Sequence, residues 1–161
     1  MDVYLVQHGE ALSDEQDPQR PLSDAGRAAV EQVARYFAGR GTGVIDPPIG
    51  ELRHSEKLRA RETAEILGGA LCPEVSPTAA EGMRPTDGPH RIGAELESRR
   101  DARTALMLVG HLPHLARLTG LLLAGDEEKS PIRFVNAAVL RLGFHDRAWA
   151  VDWYVTPSCI P

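Results

Sequence analysis

The chain is poor in cysteine: Cys72 and Cys159 stand far apart, outside any CxxC or Cys/His finger pattern. A disulfide framework and a structural zinc site are therefore not expected, and both thiols read as incidental. Basic residues are outnumbered, 18 against 23 acidic, giving a formal net charge of −5. That balance argues against a protein that coats nucleic acid by neutralising phosphates. No apolar run is long enough to span a bilayer, so membrane insertion is not expected. Met1-Asp2-Val3 lacks the basic start and apolar core of a signal peptide, which makes the cytoplasm the default location. There is no internal repeat, low-complexity tract or long linker, and residues 1–161 read as a single domain that can bury a core without disulfides or a metal.

What the sequence does have is a short apolar run, Val3-Tyr4-Leu5-Val6, that leads through Gln7 straight into His8 and Gly9. Such a run suits a strand buried from both faces in a parallel sheet, with the glycine letting the backbone turn near a ligand. Ala105 to Val109 followed by Gly110-His111 repeats the arrangement. Between and around these strands, Ser23 can cap a helix to about Phe37, ending near Gly39 and Gly41. Ile49–His54 reads as a weaker strand, then Ser55 as the cap of a helix to about Leu67 that Gly68-Gly69 ends. Residues 72–88 read as an irregular excursion, and residues 89–99 as a helix. Pro113 suits the first position of a further helix to about Leu123. Two strands, 134–144 and 148–155, are expected to form a hairpin around His145-Asp146.

Alternating strands and helices predict an α/β fold, a three-layer α/β/α sandwich whose central sheet is mainly parallel. In such sheets ligands bind beyond the carboxyl ends of the strands, where both His8 and His111 fall. The segment Ser55-Glu56-Lys57-Leu58-Arg59 reaches the same edge. Arg59 carries a planar fork of donors suited to two phosphoryl oxygens, and Ser55 with the N–H groups of a helix start would add to an anion site. Lys57, Arg61 and Glu65 read as a solvated helix face. In Arg20-Pro21-Leu22 the proline stiffens the loop, making Arg20 a rim cation for the same anion. His8, His111, His114 and Glu10 could alternatively serve as metal ligands, but an arginine nearby would repel a dication.

Four segments give the chain a resemblance to a known family. They are Gln7-His8-Gly9-Glu10-Ala11, Arg20-Pro21-Leu22-Ser23-Asp24-Ala25-Gly26, the stretch Ser55 to Ala64 with its Arg-Ala and Thr-Ala pairs, and Val109-Gly110-His111-Leu112-Pro113. In order and spacing they resemble the histidine phosphatase superfamily, with its phosphoglycerate mutase-like fold, and within it the small phosphohistidine phosphatases of the SixA type. The resemblance implies a metal-independent phosphatase with no cofactor. His8 would attack phosphorus to form a phosphohistidine intermediate, while Arg59 and His111 would hold the phosphoryl oxygens; Gln7 and Arg20 would complete substrate binding. The implied partner is a phosphorylated protein, such as a histidine-containing phosphotransfer domain, or a small phosphoramidate or phosphomonoester. Nucleic acid and membrane are not implied.

The chain departs from the family pattern in having Gln7 where an arginine usually precedes the nucleophile. A neutral amide is a weaker phosphate donor than a guanidinium. The alternative expectation is therefore a weak or inactive module that binds phosphate without turning it over. The general acid is the other open position: Glu81 is the nearest carboxylate to the expected region, and a phosphohistidine substrate, whose leaving group is an imidazole, would lessen the need for one.

Overall fold

In strand β1 (Asp2–Gln7), buried along its whole length, Tyr4 and Val6 join one apolar cluster while Val3 and Leu5 join another. That alternation is what a strand with helices over both faces requires. The computed structural model describes residues 1–40 and 44–161. Around β1 the chain adds α1 (Asp24–Gly39), β2 (Ile49–His54), α2 (Leu58–Leu71), a two-residue β3 (Thr78–Ala79), α3 (His90–Ser98), β4 (Ala105–Gly110), α4 (His114–Ala124), β5 (Val139–His145) and β6 (Ala148–Val155).

The strands form one sheet in the order β3-β2-β4-β1-β5-β6. β3, β2, β4 and β1 run parallel; β5 is added antiparallel beside β1, and β6 pairs antiparallel with β5 at the sheet's edge. Helices α1 and α2 cover one face through Val30, Val33, Phe37, Ala60, Ala64 and Leu67. Helices α3 and α4 cover the other through Ile92, Leu96, Leu115 and Leu118. This is the expected three-layer α/β/α sandwich with a mainly parallel sheet. β1 and β4 sit at its centre, so their carboxyl ends meet beneath both helical layers.

Ser23 caps α1 as expected, its Oγ accepting from Gly26 N at 3.0 Å. The helix ends at Gly39 with Arg40 as its cap, while Gly41 lies outside the described residues. Several boundaries differ from expectation. Ser55 does not cap α2: its N–H is still in the sheet, donating to Val109 O at 3.0 Å, and the helix starts at Leu58 after Lys57. Gly68 and Gly69 do not end α2, which continues to Leu71. A Cβ at Gly68 would lie 2.8 Å from Leu52, so the glycine lets the helix approach β2 closely. Pro113 stands one position before α4. The last pair of strands starts at Val139, because Ala137 takes the left-handed conformation (φ 60°), which no strand continues through. Its hairpin turns on Asp146-Arg147, both at positive φ, as a two-residue loop with His145 paired to Ala148 requires.

Candidate active site

Three chain segments are tied together at the carboxyl edge. Gln7 pairs with Gly110, His8 N donates to Gly110 O at 3.1 Å, and Ser55 N donates to Val109 O. The residues that follow each strand therefore share one place, and His8, Arg59 and His111 come together there.

His8 Nδ1 lies 2.6 Å from Gly9 O. The carbonyl is an acceptor only, so Nδ1 carries the proton and Nε2 keeps its lone pair. Nε2 faces Arg59, whose Nε approaches to 3.2 Å. Burial, with Arg59 and Arg20 adding repulsion, pushes His8 down to about 4, against the opposing effect of the Gly9 carbonyl. His8 is thus neutral near pH 7. The buried His111 ring stands edge-on to His8 with centroids 4.8 Å apart, and both its nitrogens lack a protein partner. Burial, then His8, Arg59 and Lys57, push His111 down to about 3. Burial and Arg20 lower Arg59 itself from the usual guanidinium range. Although the chain is acidic overall, this edge is locally positive.

The pieces are held by residues that sequence reasoning passed over. Buried Thr63, one turn beyond Arg59, accepts from Gly9 N at 3.1 Å and donates to Arg59 O at 2.8 Å, joining the nucleophile's loop to the arginine's helix. Glu62 accepts from Leu22 N at 2.7 Å and pairs with Arg27 at 2.8 Å, fixing the loop that carries Arg20. Gly26 packs so closely that a Cβ there would lie 2.0 Å from Glu10 O. The Thr-Ala pair and Gly26 were visible as parts of motifs, but nothing in their spacing showed what they touch.

Arg20 occupies a left-handed position (φ 49°), and its Nε donates to Leu12 O at 3.1 Å. It lines a cavity of about 600 Å³ together with Lys57 and Arg59. Lys57 is exposed as expected, yet it lines this cavity beside Arg59 and its charge acts on His111; Arg61 and Glu65 pair on the exposed face at 3.6 Å. The buried Gln7 donates through Nε2 to Asn136 Oδ1 at 2.6 Å, and its own Oε1 has no partner. Ser55 Oγ is likewise buried and unpartnered, and its backbone N–H is used by the sheet rather than by an anion site. His114 is buried at the start of α4 beside Leu115, its ring nitrogens unpartnered. Glu10 accepts from Ser23 Oγ at 2.9 Å. Glu81 is 85% exposed and pairs with Arg91 at 3.1 Å, facing a separate cavity. Among the described residues no three His, Cys, Asp or Glu side chains cluster closely enough to hold a metal ion. A larger cavity of about 750 Å³ lies along α1 by Gln32, Tyr36 and Ile160, and contains none of the groups above.

Residues 3–88 match the model of the histidine phosphatase superfamily, branch 1. The chain belongs to the histidine phosphatase superfamily. Its fold is shared over 100% of both chains with the protein histidine phosphatase SixA complexed with tungstate (22% identity, TM-score 0.84). It is shared over 99% of both chains with an Entamoeba histolytica phosphoserine phosphatase variant bound to phosphoserine (12%, TM-score 0.73). A mycobacterial glucosyl-3-phosphoglycerate phosphatase is also similar, over 96% of this chain and 99% of that one (16%, TM-score 0.72). No curated protein matches the chain significantly by sequence. The phosphoglycerate mutase-like fold and the family are therefore as expected, and a phosphatase is the activity that membership supports. The fold carries several phosphorylated substrates in these neighbours, so substrate must be argued from the site.

Proposed function

We propose that this histidine phosphatase hydrolyses phosphohistidine in a protein partner, or a related small phosphoramidate or phosphomonoester, with His8 Nε2 as nucleophile. The carrying observation is the His8 ring itself: its Nδ1–H is held by Gly9 O at 2.6 Å, leaving an uncharged Nε2 lone pair against Arg59. Nε2 attacks phosphorus and a P–N bond to His8 forms. The P–N bond to the substrate breaks, its electron pair returning to the leaving imidazole nitrogen, which takes a proton from solvent. Water then attacks phosphorus, the bond to His8 breaks, and inorganic phosphate leaves with the proton of water passing to phosphate and solvent. Arg59 and His111 bind the phosphoryl oxygens as charge shifts, with Arg20 at the rim. The route as written uses no metal ion.

Phosphohistidine is favoured over an alkyl phosphate because the leaving imidazole needs no strong enzymic acid, and the one carboxylate singled out for that role, Glu81, is turned to solvent and paired with Arg91. A phosphate-dependent binding module is the second reading, favoured by the neutral Gln7.

The test is incubation of the purified chain with a phosphorylated histidine phosphotransfer domain and with phosphoramidate, following phosphate release and an acid-labile phosphoenzyme. Wild type is expected to release phosphate at least about 10³-fold faster than His8→Ala. Release no faster than that variant overturns the hydrolytic reading, and tight binding of the phosphorylated domain without release establishes the binding module instead.

A further inference from the structure

Gln7 occupies a position from which an arginine would donate directly to phosphate, but its amide is already committed. Its Nε2 donates to Asn136 Oδ1 at 2.6 Å. Because Oδ1 is the acceptor, the Asn136 amide is oriented: its Nδ2 points away from Gln7, and among the described residues it has no protein acceptor. Asn136 is exposed, while Gln7 is buried.

The backbone places Asn136 beside the nucleophile. The next residue, Ala137, donates its N–H to Gln7 O at 3.0 Å and to His8 O at 3.2 Å, and Gln7 N donates to Ala138 O at 3.3 Å. Ala137 holds a left-handed φ of 60°, a conformation that costs a non-glycine residue energy and persists only where the surroundings impose it. Here it ends the extended path of β5 and delivers residue 136 to the carboxyl edge of β1. A buried glutamine that donates to Asn136, a strained turn bonded to the backbone of His8, and an exposed amide with two N–H donors thus converge at the carboxyl edge of β1.

We propose that Asn136 is a substrate-binding residue that donates from Nδ2 to a phosphoryl oxygen, and that Gln7 is a positioning residue that holds it there. The pair takes over the place of a single guanidinium with a relay of two neutral amides. This rests on His8 being the centre of phosphoryl binding, as proposed above. One consequence is a site whose affinity for the oxyanion depends on two residues more than a hundred positions apart in sequence.

The test uses tungstate, as an oxyanion probe, and phosphoramidate hydrolysis with the full chain. Asn136→Ala is expected to raise the tungstate dissociation constant and the phosphoramidate KM about tenfold and to lower the melting temperature by only a few degrees, because the buried Gln7 Nε2 loses its acceptor while the fold is kept. Gln7→Ala is expected to cause a similar loss, and the double variant to be no worse than either, because the two act through one hydrogen bond. Asn136→Asp tests whether this side chain faces the anion, because it also places a negative charge there. It keeps the acceptor for Gln7 but has no N–H, so it is expected to bind tungstate more weakly than Asn136→Ala; tighter binding than the alanine variant overturns the proposal. So does wild-type tungstate affinity in Asn136→Ala. If wild type binds tungstate with this dependence on Asn136 but releases no phosphate, the inference stands and the hydrolytic reading falls. If wild type binds no tungstate, both fall.

Discussion

His8 Nε2 accepts a hydrogen bond from Arg59 Nε at 3.2 Å, so the lone pair that is to attack phosphorus and the cation that is to bind its oxygens hold each other. The contact sets the ring's aim and keeps a positive charge next to a histidine already disfavoured as a cation by burial. Arg59→Ala is expected to lower kcat/KM about 10²- to 10³-fold and to raise the His8 pKa, read from the ring proton shift by NMR titration. Arg59→Lys would keep the charge but lose the planar fork, and is expected to recover only part of the rate. An unchanged His8 titration in Arg59→Ala would show that the arginine does not act on the ring.

Buried histidines give the protein a definite pH response. His8 lies near 4 and His111 near 3, both below the ordinary 6.5 because burial favours the neutral ring. Below pH about 6.5 the unfolded chain takes up protons that the folded chain refuses, so stability falls progressively as pH drops towards 4 and then 3, and is fully present above 6.5. Activity limited by His8 should stay level from neutral pH down to about 5 and fall off near 4. His114 is lowered in the same direction by burial. Replacing it in His114→Leu is therefore expected to flatten the dependence of the denaturation midpoint on pH between 7 and 4. A midpoint that drops as steeply as in wild type would assign the acid sensitivity elsewhere.

Thr63 offers a test of how rigidly the two halves of the site are joined. Thr63→Val keeps the shape of the side chain but leaves Gly9 N and Arg59 O without their shared partner. Denaturation should show a loss of about 1–2 kcal/mol, with kcat falling more than KM rises, since the nucleophile's loop and the arginine's helix lose their common pin. Thr63→Ser is expected to restore both. Full activity in the valine variant would mean that packing alone fixes the geometry.

These effects also mark what could be read before any coordinates. Runs such as Val3–Val6 and Ala105–Val109 carry their own evidence, because continuous burial leaves a local pattern, and the glycine-histidine pairs at their ends place His8 and His111 together. Ser55 misled because a serine before a helical stretch looks like a cap whether or not its N–H is already bonded to a neighbouring strand, here at Val109 O. The start of β5 was misplaced for a related reason: alanine gives no sign that Ala137 is forced to φ 60° by bonds to Gln7 and His8. Asn136 leaves no local sign in the sequence, since its contact with Gln7 spans 129 residues.

The central place of β1 has a consequence for how the protein must be assembled. Its neighbours are β4, reached through pairs such as Val3 with Leu106, and β5, through Asp2 with Gly143. The strand that carries the nucleophile pairs on both sides with strands far along the chain. Contacts so distant along the chain slow folding. A fragment ending before residue 137 would leave one edge of β1 open and His8 without the Ala137 backbone that braces it, so the reaction centre depends on segments that lie far apart along the chain.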